Sequence, residues 1–159
     1  MLEETLIVGL GNILLGDEGV GVHILNRLKK VNTFPNTQYL DLGTSSYELI
    51  NFMNPGVHKI VLIDCILARD ANPGQVITLS AGDIVSEVDY KLSLHQIKLI
   101  DTLKLISIEY NFPDTLIIGI VPFDMHSFST NLSAKLQERF IPILNTVVQY
   151  IDDFIKNTK

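Results

Sequence analysis

The sequence predicts an α/β domain of three layers, in which helices cover both faces of a mainly parallel sheet of about five strands. Short runs rich in Val, Ile and Leu alternate with longer segments that are apolar on one face only, which is the pattern of consecutive β-α-β units. The chain has 159 residues, of which 47% are hydrophobic and 19% are charged. That is enough to bury one substantial core, so we expect a single domain over residues 1–159.

The first half of the chain predicts three strands, at 5–11, 37–43 and 58–65. The third is a continuous run of Val, Ile and Leu, as expected for a central parallel strand covered on both faces. A helix is predicted over 18–30, because apolar residues recur there at helical spacing. A shorter helix is predicted over 46–53.

The second half predicts two more strands, at 74–80 and 115–121. Between them a Ser-x-x-Gln capping box at Ser93 predicts a helix that runs to about Ser107. A long final helix is predicted over 131–155. Pro142 lies inside that pattern and should kink or divide the helix.

Composition excludes several classes of protein. The formal net charge is −6 and no basic stripe is present, so we expect no nucleic acid partner. A single cysteine, Cys65, excludes an internal disulfide framework and a metal site made of cysteines alone. No signal-peptide pattern is present, and no apolar run reaches the length of about 18 residues that spans a membrane. We therefore expect a soluble, cytoplasmic protein without membrane insertion, with a monomer as its expected state.

The glycine loop, GLGNILLGDEGVG at residues 9–21, follows the first predicted strand. Gly9 and Gly11 match the first two positions of the dinucleotide-binding G-x-G-x-x-G pattern, but Leu14 occupies the third. Asp17 and Glu18 stand where the helix begins, a place that favours carboxylates but where they would repel a phosphate. Two interpretations remain: Asp17 caps the helix, or the loop presents carboxylates to a metal.

Two further residues favour the metal interpretation. Asp64 ends the third predicted strand, and His95 lies in the first turn of the helix that follows Ser93. Either residue alone has an ordinary explanation, as a turn aspartate or a surface histidine. Together with Glu18, however, they lie at the carboxyl edge of the predicted sheet, where open α/β sheets place their sites. Two carboxylates and one imidazole make a mixed oxygen and nitrogen site with open coordination positions.

The stretch GLGNILLGDEGVGVHIL (9–25) resembles the opening motif of the nickel–iron hydrogenase maturation endopeptidases. VLIDC (61–65) and SLHQ (93–96) resemble that family's second and third motifs, and the likeness continues through GIVPFDMHSFSTNLS at 119–133. The resemblance covers nearly the whole chain. It implies an enzyme that removes the C-terminal extension of a hydrogenase large-subunit precursor once nickel has been inserted.

The resemblance also implies roles for individual residues. Glu18, Asp64 and His95 correspond to the residues that engage the nickel of the precursor, so the metal arrives with the substrate and no organic cofactor is expected. Such a nickel would polarise the scissile carbonyl or activate an attacking water. Asp41 or Glu18 would help to position that water, and the sequence does not decide between them. The family usually has Asp-Gly-Gly-Thr after its second strand, whereas this chain has Leu42 in place of a glycine. We expect the Leu42 side chain to narrow the cleft beside Asp41 or to alter the choice of substrate, without abolishing the fold.

Two alternatives come from other classes of protein. A cysteine hydrolase would use Cys65 and His95. However, Cys65 follows Asp64 on a strand, so the two side chains should point to opposite faces. A non-enzymatic nickel chaperone or metal-sensing module would use Glu18, Asp64 and His95 as ligands without cleaving anything. His126 lies near the same edge, and we expect it on the surface.

Overall fold

Five strands form one sheet in the computed structural model, with helices on both faces. The structure describes residues 4–31, 34–85, 90–91 and 94–157, with only the backbone described for 84–85, 90–91 and 94–97. The strands are β1 (Glu4–Leu10), β2 (Thr37–Gly43), β3 (Val57–Cys65), β4 (Leu67–Ala68), β5 (Val76–Ser80), β6 (Tyr90–Lys91) and β7 (Asp114–Ile120). The α-helices are α1 (Val20–Val31), α2 (Ala81–Val85), α3 (Leu94–Glu109) and α4 (Ala134–Lys156), and 3-10 helices span Gly16–Gly19 and Ser46–Phe52.

The order of strands across the sheet is β2-β1-β3-β7-β5. Strands β2, β1, β3 and β7 are parallel to one another, and β5 pairs antiparallel with β7 at the edge. The prediction of a mainly parallel, five-stranded sheet is therefore confirmed. The ends of β1 and β3 lie side by side at its centre, so the segments that follow them meet at the carboxyl edge.

Alternation along the strands divides the buried residues into two cores. Ile60 and Leu62 of β3 face the layer that contains α3 and the 3-10 helix Ser46–Phe52. Val61, Ile63 and Cys65 face the layer that contains α1 and α4. This is the two-residue period of a strand that is covered on both sides, and the predicted three layers are confirmed.

Several local predictions differ from the structure. The segment predicted as one helix over 18–30 begins as the 3-10 helix Gly16–Gly19 before α1 starts, and the short helix predicted over 46–53 is also of the 3-10 type. Two short strands, β4 and β6, pair antiparallel and were not predicted, and neither was α2. The predicted cap residue Ser93 lies outside the described residues.

The last helix, α4, begins later than predicted and is not divided by Pro142. It starts after the N-cap residue Ser133, whose hydroxyl accepts a hydrogen bond from the amide of Leu136 at 3.3 Å. In the part of the chain that the structure describes, no helix is long and apolar enough to cross a bilayer.

The C-terminal end of α4 is held by a buried lysine of the sheet. The ammonium group of Lys59 on β3 donates hydrogen bonds to the carbonyl oxygens of Phe154, Ile155 and Asn157, at 3.0, 2.7 and 3.2 Å. The last carbonyls of a helix lack partners within the helix and carry its partial negative charge. A buried cation therefore satisfies them and fixes the end of α4 on the sheet.

Replacing Lys59 by methionine should destabilise the protein by about 1.5–3 kcal/mol, because the helix end loses charge-assisted hydrogen bonds while the aliphatic stem is retained. Urea unfolding at pH 7 measures the loss. Lys156→Met is the matched control, since Lys156 is on the surface and pairs with Asp152, and it should unfold at the wild-type urea concentration. Equal midpoints for both variants would contradict the role of Lys59.

Candidate active site

Asp17, in the glycine loop, is fully buried and accepts four hydrogen bonds. Its Oδ2 accepts from the amides of Phe123 and Asp124, both at 2.9 Å, and from the hydroxyl of Ser133 at 2.8 Å. Its Oδ1 accepts from the amide of Ser133 at 2.7 Å. One interpretation of the sequence was that Asp17 caps α1, and the structure shows that this is wrong. Asp17 binds the cap residue of α4 instead.

Backbone hydrogen bonds join the same two segments. The amide of Gly16 donates to the carbonyl of Ser129 at 2.8 Å, and the amide of Ser129 donates to the carbonyl of Leu14 at 3.0 Å. The amide of Asp17 donates to the carbonyl of Asp124 at 3.2 Å. The glycine loop and the 121–133 segment thus form one connected platform at the carboxyl edge of the sheet.

The glycines allow backbone contacts that no side chain would fit. A Cβ atom on Gly11, whose φ is +126°, would lie 2.0 Å from the carbonyl oxygen of Glu18. A Cβ atom on Gly21 would lie 2.2 Å from the carbonyl oxygen of Ile63 and 2.4 Å from that of Leu10. The loop needs these glycines so that α1 can pack against the ends of β1 and β3, and the same packing sets the position of Glu18.

Glu18 and Asp64 lie in one neighbourhood at this edge. Their residues are 8% and 3% exposed, and Asp64 accepts a hydrogen bond from the amide of Cys65 at 2.7 Å. Burial raises the pKa of the Cys65 thiol, and the nearby charges of Asp64, Glu18 and Asp17 raise it further. Glu18 and Asp64 are therefore both close to the Cys65 thiol, and their convergence on a metal stays a prediction.

His95, the third predicted metal-facing residue, is in the first turn of α3, and its side chain lies outside the described residues. Because α3 ends at Glu109 and β7 begins at Asp114, the end of α3 is near the edge where the strands begin. Its first turn therefore lies towards the carboxyl edge. Among the side chains that the structure describes, no group of three or more His, Cys, Asp or Glu is placed to hold a metal, so convergence on His95 stays a prediction.

Asp41, near the end of β2, is exposed at the same edge. Its Oδ1 accepts a hydrogen bond from the amide of Gly43 at 3.2 Å, and Asp41 pairs with Gly9 of β1 in the sheet register. The carbonyl of Gly43 in turn accepts from the amide of Gly11 at 2.9 Å. Asp41 is thus placed beside the glycine loop, on the β2 side, with its carboxylate accessible to solvent.

The expectation that Leu42 narrows the cleft beside Asp41 is wrong. The Leu42 side chain is buried in the core that includes Leu10, Leu40 and Leu49. The alternation of β2 explains this, since residues 40 and 42 point to the same face of the sheet.

The structure does not support a cysteine hydrolase. Cys65 is buried in the core formed with α1 and α4, whereas α3, which carries His95, packs on the opposite face. The raised pKa also keeps the thiol protonated, and the thiolate is the nucleophilic form. His58 and His126 are exposed, as expected for His126.

Comparisons with known proteins identify the family of the chain. Residues 22–150 match the model of a family described as hydrogenase maturation protease. The chain belongs to this hydrogenase maturation protease family. It is 33% identical over 121 residues to the hydrogenase 2 maturation protease of Escherichia coli K12, an alignment that covers 75% of this chain and 73% of that protein.

Solved structures of maturation proteases share the fold. The hydrogenase maturating endopeptidase HybD of E. coli superposes with a TM-score of 0.78 at 25% identity, covering 94% of this chain and 93% of that one. The [NiFe] hydrogenase maturation protease HybD of Thermococcus kodakarensis gives 0.76 at 26% identity, covering 92% and 98%. The fold of the chain is therefore similar to that of these two maturation proteases.

In this maturation protease, Asp17→Asn should lower the free energy of unfolding by about 1–3 kcal/mol or more. The reason is that the asparagine side chain has one acceptor oxygen where aspartate has two. Its NH₂ group would face the N–H or O–H donors that now bind the second carboxylate oxygen. Chemical denaturation checks this. Asp152→Asn, at an exposed carboxylate in α4, is the control and should leave the midpoint unchanged. An Asp17→Asn variant as stable as the control would contradict the anchoring role.

Cys65 should resist iodoacetamide in the native protein at pH 8, because it is buried and its raised pKa leaves little thiolate. In urea the same thiol should react readily. Intact mass after timed labelling measures both, and peptidase activity should survive the native treatment. If Cys65 in the native protein reacted as fast as in urea, and activity were lost, the cysteine hydrolase interpretation would be supported again.

Proposed function

We propose that this protein is the endopeptidase that removes the C-terminal extension from the nickel-loaded precursor of a nickel–iron hydrogenase large subunit. The observation that carries the proposal is the pair of buried carboxylates, Glu18 and Asp64, at the carboxyl edge of a maturation-protease fold. The first turn of α3, with His95, lies towards the same edge. Oxygen and nitrogen donors of this kind suit a divalent transition metal and leave coordination positions for the precursor's own ligands.

Charge explains why a cation fits here. Asp17, Glu18 and Asp64 all raise the pKa of the Cys65 thiol, so the three carboxylates lie close to one sulfur atom. Four hydrogen bonds compensate Asp17. A metal ion that arrives between Glu18 and Asp64 would be attracted by both carboxylates, because a nearby opposite charge stabilises the ionised form of a buried carboxylate.

In the proposed reaction nickel is part of the substrate. Glu18, Asp64 and His95 contact the nickel that the precursor holds, and this contact places the scissile peptide bond over the edge of the sheet. The bound nickel polarises the scissile carbonyl or lowers the pKa of a water. Asp41 or Glu18 positions that water for addition to the carbonyl carbon. The carbon–nitrogen bond then breaks, and the released amine takes up a proton.

The alternative is a non-enzymatic nickel chaperone or metal sensor with the same three ligands. Its distinguishing result is tight binding of the loaded precursor without any change in the precursor's mass. We place the processing reaction in the cytoplasm and expect the monomer to carry it out, which size-exclusion chromatography with light scattering checks.

Nickel should be required in the precursor and not in the enzyme. Treating the purified enzyme with a chelator, followed by its removal, should leave cleavage of a loaded precursor unchanged, because the metal is not resident. Withholding nickel from the precursor should abolish cleavage, measured as product mass. Full cleavage of a nickel-free precursor would contradict the proposal that the enzyme recognises nickel in the precursor.

Glu18→Gln should reduce processing about tenfold to over a hundredfold while the fold stays intact, because one charge-assisted contact of roughly 1.5–3 kcal/mol is lost. His95→Ala should be at least as severe, since imidazole is the only nitrogen donor of the three. Glu109→Gln and His58→Ala, near the opposite edge of the sheet, are the matched controls and should process at the wild-type rate. Normal processing by both site variants would refute the proposal.

A further inference from the structure

Three large apolar side chains are exposed at the carboxyl edge of the sheet. Ile13 and Leu14 of the glycine loop are 46% and 57% exposed, and Phe128 of the 121–133 segment is 90% exposed. A nearly fully exposed phenylalanine costs solvation free energy that a buried one would not. When such residues are grouped on a surface, they mark a place where another molecule binds.

The three residues form one patch, which we name the apolar rim (Ile13, Leu14 and Phe128). Leu15 and Ser129 form a parallel bridge, and the amide of Ser129 donates to the carbonyl of Leu14. Leu14 and Phe128 are therefore adjacent residues on two paired segments, and Ile13 precedes Leu14 directly. The rim belongs to the same platform that Asp17 holds together.

The rim is preorganised. Asp124 Oδ1 accepts hydrogen bonds from the amides of His126 and Ser127, at 2.9 and 3.3 Å, and the hydroxyl of Ser129 accepts from the amide of Asn131 at 3.0 Å. These bonds hold the turn that presents Phe128. A backbone turn that is already held in place loses little conformational entropy on binding, which raises affinity.

We propose that the apolar rim is the docking surface for the hydrogenase large-subunit precursor, and that Phe128 inserts into an apolar pocket on the folded part of that partner. The inference rests on the proposed function. Its argument is continuity: Leu14 and Glu18 belong to one short loop, and Glu18 is almost buried. A metal enclosed in another protein reaches Glu18 only when that protein covers the adjacent surface. The rim supplies the apolar contact area there, and the carboxylates supply the charge.

The molecule offers a matched control. Ile108 on α3 is 82% exposed and lies one residue before the end of that helix, near the edge where the strands begin. A substitution there removes a similar amount of exposed apolar surface without touching the rim. The comparison of Phe128→Ala with Ile108→Ala therefore separates docking at the rim from general hydrophobicity.

The test measures KM and kcat for the nickel-loaded precursor, and the direct binding of the precursor by titration calorimetry. Phe128→Ala should raise KM and Kd at least about tenfold, the usual cost of truncating an aromatic anchor. Its kcat should stay within about twofold, and its thermal unfolding midpoint should not fall. Ile108→Ala should match the wild type in every measurement.

Unchanged KM and Kd in Phe128→Ala, with processing still abolished by Glu18→Gln, would overturn the docking surface and leave the proposed function standing. Equal weakening by Phe128→Ala and Ile108→Ala would also overturn it. If the wild type binds the loaded precursor without cleaving it and Phe128→Ala still weakens that binding, the docking surface is supported and the proposed function fails.

Discussion

The Asp17 carboxylate joins parts of the chain that are far apart in sequence, and the candidate site depends on it. Its two oxygens hold the amides that follow β7 and both polar groups of the residue that begins α4. Because the glycine loop is fixed in this way, the 3-10 helix that contains Glu18 is held against β3, the strand that ends with Asp64 and Cys65. A buried charge that is satisfied by four neutral donors is stable only if those donors keep their geometry. The carboxylate therefore enforces the arrangement of both loops.

The two neighbouring acidic residues of the loop thus have different tasks. Asp17 is turned into the protein and is saturated with donors, whereas Glu18 lies at the edge where the strands end. Local reasoning about the helix dipole applies equally to both and does not distinguish them. The distinction comes from the 121–133 segment, more than a hundred residues along the chain, and its only sequence signal is Ser133, a good cap residue placed before an amphipathic helix.

The fold was largely predictable because its signals are local. The continuous apolar runs of β1, β3 and β7 and the periodic face of α1 show these elements, and residues 64 and 65 were assigned to opposite faces by alternation alone. The two-residue strands β4 and β6 were missed because so short a segment carries no period. The position of Leu42 follows from its alternation with Leu40 on β2, which puts both side chains in one core, and the comparison with a family glycine does not show this. The exposure of Phe128 was not predictable, since the same sequence pattern serves a buried phenylalanine.

The two attachments of α4 affect how the protein is made. Asp17 finds its partners 106 to 116 positions later in the chain, and Lys59 finds its acceptors 95 to 98 positions later. The ribosome releases these partners long after Asp17 and Lys59, and loop closure over such separations is slow. A nascent chain that already contains Glu18, Asp64 and His95 therefore still lacks the scaffold that arranges them. The carboxyl edge of the sheet therefore takes its described arrangement only after α4 has packed against the sheet.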